Sequence, residues 1–457
     1  MKRKKPGRLC APRFRPWLIG ISNSIHRMEP VMTEKKPNVI VVGGGAAGMV
    51  ASLFAARAGA AVTLLEKNEK LGKKVYITGK GRCNLTNDCD LDTFLSQVPR
   101  NPRFLYAALN FFSPRDMMAL LESAGCPVTV QRGRRVFPAS EKASDVTRAL
   151  AALMRASGVD VRLNTAVRSL ETVPSEEGGR RVAAVLTKDG GQFPADSVIL
   201  CTGGFSFPAT GSTGDGYRFA EAVGHTVLPP SPVLVGLETT EDWPRSLQGL
   251  SLRNVTLTLS RGKKVLYTEL GEMLFTHFGV SGPLVLEASC HLPENLSEAT
   301  LRIDLKPGLI PEQLDARLLR DFTASGKKLL PTELTCLLPA SLAEIFPRLC
   351  GLPESLRCNQ VTAEQRRLLG ATLKALPLTI RSTGPLSQAI VTRGGVSVRE
   401  VDPSSMRSRL LPNLYFAGEL LDVDAHTGGY NLQIAWSTGA LAGQNAACCQ
   451  WQNFQQL

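Results

Sequence analysis

Paired cysteines, histidines and aromatics are scarce in this chain. Its 457 residues hold eleven cysteines but no CxxC, no CxxCH and no Cys/His cluster with zinc spacing. That excludes a dithiol redox centre, a covalently attached haem and a zinc module, and no metal site is expected. Cys448 and Cys449 are adjacent and the other nine are scattered singly, which excludes a disulfide scaffold and points to a reducing, cytoplasmic compartment. Aromatics are 6% of residues and interleave no basic stretch, the pattern a single-strand nucleic-acid groove needs. No fixed-period repeat or low-complexity tract is present, and outside residues 38–56 no uncharged stretch approaches the length of a membrane span.

With 43% hydrophobic and 20% charged residues, the composition is that of a globular protein, and disorder, collagen and coiled coil are excluded as whole-chain descriptions. The net charge of +13 is unevenly placed. Residues 1–36 carry ten cations against Glu29 and Glu34, so the remaining 421 residues carry only +5. Residues 1–36 are expected to be a disordered, dispensable basic leader, with translation starting at Met28 or Met32. They lack the apolar core of a secretory signal. With the excess confined there, neither nucleic acid nor a membrane is expected as partner.

Asn38 to Gly43 is a β-branched apolar run that reads as a buried strand. Gly43-Gly44-Gly45-Ala46-Ala47-Gly48 follows, then a helix-forming stretch closed by Gly59, and a second strand, Ala61 to Leu65, ending at Glu66. In GxGxxG, Gly43 permits the tight turn, Gly45 lets a pyrophosphate approach the backbone, and Gly48 lets the helix pack closely. The helix N-terminus offers unpaired N–H groups to phosphate. Glu66 stands where a carboxylate accepts from both ribose hydroxyls of an adenine nucleotide. This outweighs a transmembrane reading of residues 38–56.

The loop beyond the second strand suits a cofactor that runs on past the pyrophosphate, because a simple NAD site has no use for Gly79 to Asn87. Asp196 to Leu200 then reads as a strand entering Cys201-Thr202-Gly203-Gly204. Asn413 to Glu419 is another strand, followed by Gly428 to Gln433 and a small-residue helix, Ile434 to Ala447.

These pieces carry a resemblance. GKGRCNLTN (79–87), RRVFPASEKASDV (134–146), CTGGFSFPATGSTGDGY (201–217), GEMLFTHFGVSGP (271–283), VTRGGVSVREVDP (391–403) and LYFAGELLDVDAHTGGYNLQIAWSTG (414–439) resemble the bacterial flavoproteins grouped with the bile-acid 3-dehydro-Δ4,6-reductase, many called aminoacetone oxidase family FAD-binding enzymes. The resemblance runs from residue 38 to the C-terminus. It implies an α/β, two-part Rossmann-like FAD-binding domain (37–230 and 377–457) interrupted by a β-barrel-like insert (231–310) and a helical insert (311–376). The alternating strands near Val255 and Val265 and the helical leucine spacing of Leu314, Leu318, Leu368 and Leu369 agree with these inserts.

On that mapping Gly43, Gly45, Ala46, Ala47 and Gly48 hold the pyrophosphate, Glu66 and Lys67 meet the ribose, and Lys73 or Lys74 neutralises phosphate. Val167 offers backbone to adenine, and Glu419, after Gly418, meets the ribityl chain. Arg82, Asn84, Thr86, Thr202 and Gly203 complete the cofactor wall. Gly429, Tyr430, Asn431 and Leu432 open the last helix at the flavin, where its dipole favours negative charge on the reduced ring. The segment Thr210 to Tyr217 also resembles a loop of fumarate-reductase-like flavoproteins, with Ser212 or Thr213 as a helix cap.

Histidine is the natural proton donor near neutral pH. His26 is in the leader, His225 reads as a helix-end cap and His291 falls in a turn. That leaves His277 and His426 as candidate acids, with Tyr430, Thr276, Asp422 and Asp424 as further polar candidates and Cys83 as a packed thiol. No second GxGxxG lies between a strand and a helix, so any NADH or NADPH docks transiently over the flavin, or else the electrons come from the substrate and go to oxygen. The expected function is FAD-dependent, NAD(P)H-driven reduction of an activated C=C bond in a small organic substrate. The alternatives are an oxygen-using oxidase of a small amine such as aminoacetone, a tRNA-modifying flavoprotein, and a flavin-binding partner without turnover.

Overall fold

The computed structural model describes residues 36–448 apart from 176, 177 and 294. The leader expected over residues 1–36 therefore lies, but for Lys36, outside the described residues, as does Cys449.

Asn38–Val42 is the middle strand of a five-stranded parallel sheet. Its residues Val39 to Val42 are buried, as expected of a strand covered on both faces. The strand order across the sheet is 414–416, 197–200, 38–42, 61–65 and 160–162. Val41 pairs with Ile199 on one side and with Leu64 on the other, and Ile199 pairs in turn with Tyr415. Segments more than 370 residues apart in the chain thus form one sheet.

The first helix, Ala46–Arg57, packs against the last, Tyr430–Ala447. Small residues make that approach possible. A side chain on Gly439 or Gly443 would overlap the carbonyl oxygen of Ala47 or Ala51. The last helix is also tied to segment 85–87: Trp436 Nε1 donates to Leu85 O at 2.9 Å and Thr86 Oγ1 donates to Gln433 Oε1 at 2.7 Å.

Strands 237–239, 279–281, 264–275, 251–261, 299–304 and 376–383 close into a barrel. The last of these corrects an expectation. Residues from 377 onward are expected in the returning FAD-binding part, but the strand Leu376–Thr383 pairs with Ala299–Asp304 and Leu237–Thr239 and seals the barrel. Its alternation, with Leu376, Leu378 and Ile380 inward, fits any half-buried strand, so only the partner distinguishes the two placements. The helices Pro311–Ala324, Leu330–Leu334, Ala340–Leu349 and Ala363–Lys374 lie in sequence between the barrel's last two strands and share its core. The barrel joins the nucleotide fold through the antiparallel pair Val227–Val233 and Val391–Val396 and a small apolar knot of Val233, Leu234, Cys290 and Val391.

Candidate functional site

A cavity of about 520 Å³ runs along the C-terminal ends of the parallel strands, where open α/β sheets bind their ligands. Gly43, Gly45, Ala46 and Ala47 line it where the first strand turns into the first helix. Gly43 has φ +101°, and a side chain there would meet the Cys201 carbonyl oxygen at 2.6 Å. Gly45 caps the helix, and a side chain there would meet nothing within 4 Å, so that space belongs to the cavity. Gly48 does not line the cavity; it lets the helix close on Gly43.

Glu66 is buried, and its Oε2 accepts from Gly44 N at 2.6 Å while Oε1 accepts from Asn68 N and Nδ2 at 2.7 Å. Val167 and Thr165 lie on the same wall. Lys67, Lys73 and Lys74 also line the cavity, but each has a protein partner. Lys67 bonds Asp215 Oδ2 and Thr213 Oγ1 at 2.6 Å. Burial alone would raise the Asp215 carboxyl, but hydrogen bonds from Lys67 and Thr213 outweigh it and hold the group below its ordinary range. Lys73 pairs with Glu69 at 3.2 Å. Lys74 reaches Glu419 Oε2 and Ser206 Oγ, each at 2.6 Å.

The far wall is made by Thr202, Gly203, Gly418, Glu419, Gly429, Asn431 and Leu432. Glu419 Oε1 accepts from Thr392 N and Ser206 Oγ at 2.8 Å. Asn431 holds the loop before the last helix, accepting from Ala425 N at 3.0 Å and donating to Ala425 O at 2.6 Å.

Several expected site residues stand elsewhere. Arg82 turns out toward Glu141 at 3.1 Å and stacks on the Phe137 ring. Thr86 lies beneath the wall, bonded to Gln433, with its carbonyl pressed against Gly429. Tyr430 packs its ring edge-on to Phe94 at 5.1 Å, away from the cavity, and burial pushes its phenol up to about 12. His277 is exposed on the barrel turn closed by Thr276 and Gly279, away from the cavity. Asp422 and Asp424 are taken by Arg100 and Arg393. Burial pushes the Cys83 thiol up to about 12, in keeping with packing. The helix Asp215–Ala222 is capped by Gly214, with no side-chain cap from Ser212 or Thr213. His225 is no cap; it lies buried between Glu400 and Ser408.

His426 does line the cavity. Its Nδ1 is 2.6 Å from Glu287 Oε2, and His291 stacks on its ring at 5.1 Å. Neither Glu287 nor His291 stood out in the sequence. Only the spacing of Glu287, Cys290 and His291 at the end of one helix hints at a cluster. Glu287, Cys290 and His426 bring metal-ligand atoms within 4.8 Å of one another. The carboxylate is already filled by His426 and Thr427, and burial pushes the Cys290 thiol up to about 12. A cation here would have to displace both of these bonds.

Two helix N-termini meet the cavity, at Gly45 and Gly429, with neither a side-chain cap nor an acidic residue in the first turn. Such ends favour anionic groups. Two buried side-chain oxygens on the wall, Thr202 Oγ1 and Asn84 Oδ1, have no hydrogen-bond partner, an arrangement suited to a polar ligand. An elongated dinucleotide with a pyrophosphate at one helix and an electron-accepting ring at the other fits these features.

The HI0933-like protein Rossmann domain family matches residues 37–445. The chain belongs to this family. It is an FAD-dependent oxidoreductase with a Rossmann-like fold and a closed barrel insertion. This HI0933-like flavoprotein is 34% identical over 413 residues to the 3-dehydro-bile acid Δ4,6-reductase of Clostridium scindens, covering 89% of this chain and 98% of that one. It is 32% identical over 402 residues to a ribosomal RNA dihydrouridine synthase of Haemophilus influenzae, covering 87% and 96%. It is 31% identical over 409 residues to that of Escherichia coli, covering 89% and 97%. Among the described residues no helix is long and apolar enough to cross a membrane.

Proposed function

We propose that this flavoprotein reduces a C=C bond conjugated to a carbonyl in a small organic substrate, with NADH or NADPH docking transiently as electron donor. The observation that carries this reading is His426. It is a proton-bearing side chain on the cavity wall beside the start of the last helix, in a cavity that also presents Ile77, Phe207, Leu234, Ile390, Val391 and Val423. The apolar side chains would bind a hydrocarbon frame and exclude water, and His426 would deliver a proton to the reacting carbon. FAD, when bound and reduced, supplies the hydride. The names of the relatives support the chemistry. A bile-acid Δ4,6-reductase saturates ring double bonds, and dihydrouridine is uridine with its carbonyl-conjugated C=C saturated. A cytoplasmic location belongs to the same reading, since the nine cysteines among the described residues are all unpaired.

A second substrate class is favoured by one feature. Arg132, Arg134 and Arg135 are exposed on a hairpin whose Gly133 carbonyl is joined to the Gly428 carbonyl through Asn87 Nδ2, at 3.0 and 3.1 Å. That places three cations near the flavin end of the cavity, where RNA phosphates would be held.

The deciding experiment is anaerobic titration of the yellow protein with NADH and NADPH, followed by mixing with a steroid dienone or with ribosomal RNA. Bleaching by a nicotinamide and reoxidation by the dienone is the expected result. Reoxidation by RNA alone, lost in an R132S/R134S/R135S variant, replaces the small substrate with a nucleobase. Failure of both nicotinamides while dithionite bleaches the flavin removes the reductase reading and turns the search to amine donors with oxygen.

A further inference from the structure

Glu287 sits on the barrel side of the molecule, on the helix Pro283–Ser289 that follows the barrel strand Gly279–Ser281. Its carboxylate, however, is spent on the loop that precedes the last helix of the nucleotide fold. Oε2 faces His426 Nδ1 at 2.6 Å, and Oε1 accepts from Thr427 N at 2.9 Å and from the Thr427 hydroxyl. A carboxylate can only accept, so His426 Nδ1 carries the hydrogen of this bond. Nε2 has no hydrogen bond among the described residues and is the ring nitrogen left for the cavity that His426 lines.

The ring plane is fixed as well. His291 stacks on His426 with centroids 5.1 Å apart and planes 28° apart, and Tyr267 stacks on His291 at 5.2 Å. Burial first, and then the neighbouring His426, lower His291 below its ordinary value.

We propose that Glu287 is the positioning residue for proton delivery: acting across the junction between barrel and nucleotide fold, it holds the His426 ring and favours the imidazolium whose Nε2–H protonates the substrate. This rests on the reductase reading. The step balances. The β-carbon of the conjugated C=C accepts a hydride with its electron pair from the reduced cofactor. The π pair of the C=C takes the Nε2 proton at the α-carbon. The cofactor is oxidised by two electrons, and His426 is left neutral, its Nδ1–H still on Glu287, to be reprotonated from water. A carboxylate behind an imidazole stabilises the charged ring without itself taking the proton.

The charged and titratable groups around this cluster are Glu287, Cys290 and His291 from the barrel-side helix and its end, Tyr267 from strand 264–275, Tyr430 from the last helix, Arg393 from strand 391–396, and Asp424 from the loop that carries His426. Glu287 is the one that bonds the ring, so its charge can be tested alone. In holoprotein labelled with 15N-histidine, with H426Q used to assign the signal, the neutral His426 ring should carry its proton on Nδ1. In E287Q its titration midpoint should fall by about one unit or more, and in E287D most of the wild-type midpoint should remain. With dithionite-reduced enzyme and cyclohex-2-enone, E287Q should lose about tenfold or more in kcat at neutral pH with little change in KM. The alkaline fall of the rate should move to lower pH. A neutral ring protonated on Nε2 in the wild type, or an unmoved midpoint in E287Q, overturns the proposal. The ring measurements need no substrate. If no enone is reduced while the ring behaves as expected, the reductase reading fails and the Glu287–His426 geometry stands.

Discussion

Lys74 Nζ lies 2.6 Å from Glu419 Oε2, joining positions 345 residues apart across the cofactor cavity. The lysine expected to face phosphate is thus engaged with the carboxylate expected to face the ribityl chain, and both side chains are mostly buried. Removing one partner leaves a charge in a poorly solvated wall, which costs more than the pair contributes. K74M should weaken FAD retention by about tenfold, and K74M/E419Q should recover much of the loss, because the orphaned charge is gone. Equilibrium dialysis of FAD against the apoproteins checks both.

Gly45 gives a cleaner test of the cavity's occupant. Its φ is −78°, and a side chain there meets no protein atom within 4 Å. G45V should therefore fold normally while its methyl groups occupy the space where a pyrophosphate meets the helix end. The expected result is an unchanged melting temperature of the apoprotein and a loss of about 100-fold in FAD affinity, about 2.7 kcal/mol. Equal losses of both would mean that Gly45 serves the fold instead.

The opposite pattern is expected where the two long helices touch. A Cβ at Gly443 overlaps a backbone oxygen on the facing helix, which cannot move as a side chain can. Overpacking of this kind costs about 1–3 kcal/mol. G443A should lower the melting temperature by several degrees and loosen FAD, whereas G308A, where nothing lies within 4 Å, should do neither. Differential scanning fluorimetry with and without FAD separates them.

His225 predicts a pH effect away from the cavity. Burial lowers it below the ordinary 6.5, against the opposing pull of Glu400. The unfolded chain then binds the proton more readily, so stability rises with pH. The contribution is complete above about pH 6.5 and is lost as pH falls through that value toward the folded pKa. His291 shifts the same way, so H225Q should flatten part of the slope of urea-unfolding free energy between pH 7.5 and 5.5. A slope unchanged from wild type would rule His225 out as its source.

The readable part of the site was local. The first strand, the glycine turn, the first helix and Glu66 lie within 30 residues, and each is dictated by its neighbours: β-branched residues, a left-handed Gly43, an uncapped helix end. The C-terminal strand and helix were legible for the same reason. What sequence could not supply was partnership. Nothing near Lys74 announces Glu419, and nothing near His426 announces Glu287, 139 positions away. His277 and His426 both stand in long blocks of resemblance, yet one is exposed on a barrel turn and the other lines the cavity. Strand 376–383 alternates as any half-buried strand does, and its place in the barrel depends on residues 237–239 and 299–304.

The sheet order also sets a timetable for synthesis. Asn38–Val42, the middle strand, leaves the ribosome early but gains its neighbour at 197–200 only after about 160 further residues, and that neighbour waits for 414–416. The barrel likewise cannot close until 376–383 has emerged. The Gly429 end of the cavity follows later still. Such distant pairings are slow to form and leave apolar strands uncovered meanwhile. Completion of the cofactor cavity is therefore one of the last events in making this molecule, and a nascent chain stalled before residue 414 holds the Gly43 and Glu66 wall without the Glu419 and Gly429 wall that faces it.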